Sequence, residues 1–229
     1  MTDMRVVLEI GKKRRVVAGA LDWPGLDRWG TSDEAALTKL SAYLERYTAV
    51  AASAGMADEF ERARDIVVVE RTPGSSSTDF WGIAHVPSEV EREVLPPEAL
   101  ERRLTLLQAT WAYFDDTVVR VSDDLRPGSR SGGRTKHEIV RHVYINEPEQ
   151  MSRKVEVRTD RAVVMTPAGL AVHRIAYLDA IRAYNLAGRP ARSWPIQFLI
   201  RRTAYHAMDH AWELEDRDLT PGLTRERQP

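Results

Sequence analysis

The sequence predicts an α+β protein: a small N-terminal β-β-α-β module followed by an all-α four-helix bundle. Three observations predict it. Two runs rich in β-branched residues open the chain around a glycine-containing turn. From Leu100 to Val121 apolar residues recur at alternating spacings of four and three, the seam of a bundle helix. Helix-start signals at Pro97, Thr135 and Thr166 then divide the rest. The expected units are residues 1–93, 94–219 and a polar tail, 220–229.

Residues 4–10 (MRVVLEI) read as a strand, Gly11-Lys12-Lys13 as a hairpin turn and residues 15–21 (RVVAGAL) as the returning strand. Asp22-Trp23-Pro24-Gly25 breaks it, because proline donates nothing to a ladder and glycine frees the backbone. Thr31 and Glu34 read as a capping box. The helix they open carries Leu37, Leu40, Leu44 and Tyr47 on one stripe and runs towards Gly55. Residues 66–70 (IVVVE) are the third strand, and residues 72–82 (TPGSSSTDFWG) a loop.

The second half starts with proline where a first helical turn tolerates it. Leu100, Leu104, Leu107, Trp111, Phe114, Val118 and Val121 form its seam. Residues 122–134 read as a flexible basic loop. Thr135 and Glu138 form a second capping box, and the helix after it puts Ile139, His142, Val143 and Asn146 on one face. Pro148 ends or kinks that helix. Residues 152–165 are open between a loop and a short strand. Thr166-Pro167 starts a third helix, stopped by Gly188 and Pro190, and residues 199–217 are the last.

Composition bounds the function. The chain has 229 residues, 43% hydrophobic and 29% charged, with a formal net charge of −1. That suits a globular protein and gives no global field for nucleic acid or an anionic membrane. The basic runs at Lys12-Lys13-Arg14-Arg15 and residues 130–141 lack interleaved aromatics and read as solvated faces. There is no cysteine, so a thiol would have to come from outside. No long apolar core precedes a cleavage site at the start, and no apolar run nears spanning length. A cytoplasmic location without a membrane partner is expected.

The chemistry concentrates in LIRRTAYHAMDHAWELEDR, residues 199–217. On a helix, His206 and His210 lie one turn apart on one face, with Glu213 one turn on and Thr203 one turn earlier. Two imidazoles at that spacing can grip one metal ion. His142, inward on another helix, is the third; three histidines leave a fourth position open, as in a catalytic site. Neutral imidazoles suit Zn, Ni, Fe or Cu, with zinc favoured here. An open position can bring a bound water to a pKa of about 7 or hold an external thiol as thiolate. Glu213 serves as general base or as the anchor of a ligating histidine. His173 is a reserve ligand, Asp209 structural, His137 exposed, and Asp216 with Arg217 an ion pair within the bundle. Trp111, Phe114 and Trp212 are core, while His85 and Trp81 lie in a loop between the modules.

Two resemblances follow. The two strands and the segment DWPGLDRWGTSDEAALTKLSAYLERY are similar to the HicB-like antitoxin fold, over roughly residues 4–48. The lone histidine of TKHEIVRHVYINE and the pair in HAMDHAWELEDR resemble the DinB/YfiT-like superfamily of metal-binding four-helix bundles, over about residues 95–218. By position, this second resemblance implies His142, His206 and His210 as metal ligands. It also implies a thiol-dependent S-transferase or isomerase, or a hydrolase, on a small molecule, with a low-molecular-weight thiol such as mycothiol as cosubstrate. The alternative is a non-catalytic regulatory protein, with the HicB-like module binding protein or nucleic acid. A homodimer paired through a sheet edge is compatible with either.

Overall fold

The computed structural model describes residues 3–128 and 133–220. It is mixed α+β: a four-stranded N-terminal sheet followed by a helical body.

Strands β1 (Asp3–Ile10) and β2 (Val16–Ala20) form the expected hairpin, with Gly11 N donating to Arg15 O at 2.7 Å. A third strand, β3 (Asp27–Gly30), was not expected and pairs antiparallel with β2. Its four residues carry no β-branched side chain, so only the Pro-Gly turn before it signals a reversal. Gly25 in that turn holds φ +96°, and a Cβ there would press on Met208. The last strand, β4 (Asp65–Pro73), pairs parallel with β1, giving the order β3-β2-β1-β4. A parallel partner requires a crossover. It is made by α1 (Asp33–Ala42), α2 (Leu44–Ser53) and α3 (Ala57–Arg62).

The expected single helix up to Gly55 is therefore two, broken at Tyr43, whose ring turns onto Trp212 at 4.9 Å. Its cap is Ser32 rather than Thr31: the Ser32 side chain accepts from Ala35 N. The stretch read as a loop at 72–82 contains a helical turn, α4 (Ser76–Trp81). Ser75 and Thr78 close a capping box there that the serine-rich composition hid, so Trp81 is helical. Part of the 122–134 loop, residues 129–132, and nearly all of the tail lie outside the described residues.

Three long helices follow their start signals, α5 (Pro97–Arg120), α6 (Lys136–Asn146) and α8 (Pro167–Leu186), with a single turn, α7 (Arg161–Val164), between α6 and α8; α9 (Ile196–Arg217) begins three residues before the expected 199. Residues 152–165 form a 3-10 turn and α7, with no strand among them. At Pro148 the chain continues as a π-helical turn, Glu147–Met151. There buried Glu147 pairs with Arg174 of α8 at 2.9 Å. Leu100, Leu104, Leu107, Trp111, Phe114 and Val121 are buried in one core with α6, α8 and α9.

Helix α9 positions everything else, because every residue from Ile196 to Tyr205 is buried, polar ones included, and the helix is walled on two sides. Leu199, Ile200, Ala204, Ala207, Ala211 and Leu214 enter the helical core. Met208 and Trp212 instead join a second core with β1, β2, α1 and α2. Where α9 crosses the sheet, Arg201 is 2% exposed and bonds Asp27 of β3 at 2.6 Å and Glu91 at 2.7 Å. Gly19 of β2 makes room for it, since a Cβ there would collide with Arg201 Nη1. Arg28 lies over the rings of Tyr43 and Trp212, 3.8 and 3.9 Å from their centroids.

Candidate metal centre

Two elements aim three imidazoles at one point. Thr135 caps α6 by accepting from Glu138 N, while the Glu138 carboxylate accepts from Thr135 N at 2.8 Å. Burial of Ile139 and Val143 then fixes the roll of α6 and turns His142 towards α9. On α9 the i,i+4 spacing brings His206 and His210 to the same place. The ring centroids stand 4.9, 5.0 and 4.9 Å apart, an almost equilateral set. One ring nitrogen from each lies within 4.8 Å of the others, so the three can hold a metal ion.

One nitrogen pair is spaced close to what a tetrahedral cation needs. His142 Nε2 and His206 Nε2 are 3.0 Å apart. Zn–N bonds of about 2.0–2.1 Å at tetrahedral angles put two ligating nitrogens roughly 3.3 Å apart, so this pair would widen slightly while the full set, spread within 4.8 Å, draws in around the ion. His210 Nδ1 donates to Glu213 Oε2 at 2.8 Å, which leaves its Nε2 as the nitrogen for a ligand. Glu213 Oε1 accepts from Arg217 Nη1 at 2.8 Å. Arg217 also donates to the backbone oxygens of Arg126 and Arg134. The imidazole, carboxylate and guanidinium thus form a chain that ties the centre to the loop preceding α6.

All three rings are partly buried. Burial, with the neighbouring His210 and Arg134, pushes His142 down to about 4. Burial drives His206 well below its ordinary value, with His210, His142, Arg202 and Arg134 adding to the effect. Both are therefore neutral near pH 7, the form that binds a cation. Glu213 is held below the usual carboxylate range: burial opposes this, but the bonds from His210 and Arg217 prevail. A cavity of about 500 Å³ opens beside His142, bordered by Arg134, Arg141, Asn146 and Glu149.

His142, His206, His210 and Glu213 are brought together as the spacing implied. The reserve ligand is not among them. His173 is 1% exposed, exchanges a hydrogen bond with Thr159 Oγ1 at 2.8 Å and stacks on Tyr177. Among the described residues, no fourth His, Asp or Glu joins the three-nitrogen group. Asp216 and Arg217 do not pair with each other. Arg217 takes Glu213, and Asp216 takes Arg46 of α2 at 2.8 Å, because successive helical residues point about 100° apart. Asp209 meets Arg28 at 3.3 Å. His137 is exposed, and His85 sets its ring edge-on to Trp194 at 6.0 Å.

Sequence reasoning passed over Arg202, one turn before His206, which is buried with Nε and Nη1 unpartnered among the described residues. Its spacing to His206 was the available signal. Asn146, one turn after His142, has a buried Oδ1 without a partner.

Burial and Arg174 lower His173 to about 4 from an ordinary 6.5. The unfolded chain takes up that proton as pH falls through 6.5, whereas the folded chain refuses it until about 4. Stability therefore falls on acidification across this window, by at most about 3 kcal/mol from His173 alone. Urea denaturation at pH 7 and pH 5 should show the drop, and His173→Gln should make it smaller by the His173 share, the rest coming from His142 and His206.

Comparison with known proteins finds no family model, no curated protein and no solved structure that matches the chain.

Proposed function

We propose that the protein is a metal-dependent enzyme acting on a small molecule through His142, His206 and His210, as in DinB-like four-helix bundles. The observation carrying this reading is a set of three convergent nitrogens with no fourth protein donor among the described residues. A structural site closes its coordination shell, whereas a catalytic one keeps a position for water or substrate. The donor set supports zinc first, then nickel or iron. Bound there, such an ion supplies Lewis acidity, activating a water for hydrolysis or an incoming thiol for S-transfer or isomerisation. With no cysteine in the chain, that thiol is a cosubstrate, such as mycothiol.

The chain's own residues have distinct tasks in this reading. The neutral His142 and His206 offer lone pairs without releasing a proton. Glu213 accepts from His210 Nδ1, fixing the tautomer and ring plane and raising the basicity of Nε2. With both oxygens engaged, Glu213 acts as a positioning residue. The cavity beside His142 admits the substrate.

The test is zinc loading of apoprotein followed by elemental analysis and competition with a chelator. One tightly held ion per chain supports the reading; a sub-stoichiometric ion lost on desalting overturns it. Glu213→Gln should keep the stoichiometry and weaken affinity by about 10–100-fold.

A further inference from the structure

We propose that the ligand taken by the three-imidazole centre carries an oxyanion, a carboxylate or phosphate, held by Arg202 from inside the fold and by Arg141 from the cavity mouth. This rests on the metal-centre reading and adds the substrate class.

The charges around the centre do not balance. Of the carboxylates near it, Glu149 is paired with Arg161 and Glu213 with His210 and Arg217, while Glu138, capped by Thr135 but still charged, lies within the field of Arg134. The guanidinium groups of Arg134 and Arg141 border the same cavity as His142; Arg134 acts on Glu138, and Arg141 forms no ion pair among the described residues. Arg134 reaches far enough to act on both His142 and His206.

Arg202 is the sharper case. It is 6% exposed, and its Nε and Nη1 are buried without a hydrogen-bond partner. Asp27 and Glu9 act on it at longer range, but Asp27 gives its Oδ2 to Arg201 and no carboxylate bonds Arg202 among the described residues; its close contact is the face of Tyr205, 5.0 Å away. A buried, unpaired guanidinium is costly unless something outside the chain meets it. Four residues before His206, Arg202 projects from the same face of α9, so that partner lies next to the imidazoles. Guanidinium forks match carboxylate and phosphate in two-point contacts. Asn146, whose Oδ1 is an unsatisfied acceptor at the cavity wall, adds a place for a hydroxyl or N–H on the same molecule.

The experiment is calorimetric titration with inorganic phosphate and with oxalate, on zinc-loaded and on metal-free protein. Binding of at least one probe is expected. Arg141→Gln and Arg202→Gln should each weaken it roughly tenfold or more, and Arg202→Lys should restore part of the loss. Zinc stoichiometry should be unchanged in every variant. Arg62→Gln, on α3, controls for general charge loss. Arg141 is exposed, so its variant folds even where Arg202→Gln does not. Wild type that binds neither probe, or an affinity indifferent to Arg141 and Arg202, overturns the proposal even when zinc is held. Arginine-dependent binding in protein that takes up no zinc upholds the anion site and removes the metal reading instead.

Discussion

His206→Ala is expected to abolish stoichiometric metal binding while leaving a folded protein. His206 touches both other imidazoles, with Nε2 3.0 Å from that of His142 and its centroid 4.9 Å from that of His210. Without it two donors remain, on different helices. The ring packs between α6 and α9 rather than deep in either core, so its truncation costs little compared with a buried leucine. Elemental analysis after zinc loading should fall from about one ion per chain to near zero, with an unchanged circular dichroism spectrum. Full retention of zinc by the variant would sink the three-histidine assignment.

Arg201→Met is expected to destabilise the fold by about 3–5 kcal/mol. Arg201 and its two partners, Asp27 and Glu91, are all about 2% exposed or less. Removing the guanidinium strands two buried carboxylates, and burial already pushes Asp27 upward against the pull of Arg201 and Arg202. The triple change Arg201→Met, Asp27→Leu, Glu91→Leu should recover much of the loss, because an apolar replacement of a whole buried ionic group is often neutral. Urea denaturation measures both. A single variant within about 1 kcal/mol of wild type would contradict the buried-network account.

The helical body and the centre were legible because each rests on a local rule. The four-three seam of α5, the Thr135 box and the Thr166-Pro167 start are all readable within a few residues. The His206–His210 spacing places two ligands without knowledge of the tertiary fold. What escaped depends on neighbours distant in sequence. Strand β3 exists because β2 offers an edge and α1 covers it, not because DRWG favours extension. The break at Tyr43 is set by Trp212, some 170 residues on. Asp216 read as a partner for Arg217 until α2 supplied Arg46. Arg201 and Arg202 look like two surface cations in the sequence, and only the sheet laid over α9 makes them internal.

The double wall around α9 ties the N-terminal sheet to the chemistry. Arg201 is clamped to a strand five residues before His206, a span of about 7.5 Å along the helix axis. A rod pinned that close to its working end cannot slide or roll there without breaking the clamp. The sheet therefore acts as a jig that sets where the imidazoles stand, and a substitution in β3 would be felt as altered ligand geometry before it was felt anywhere on the surface.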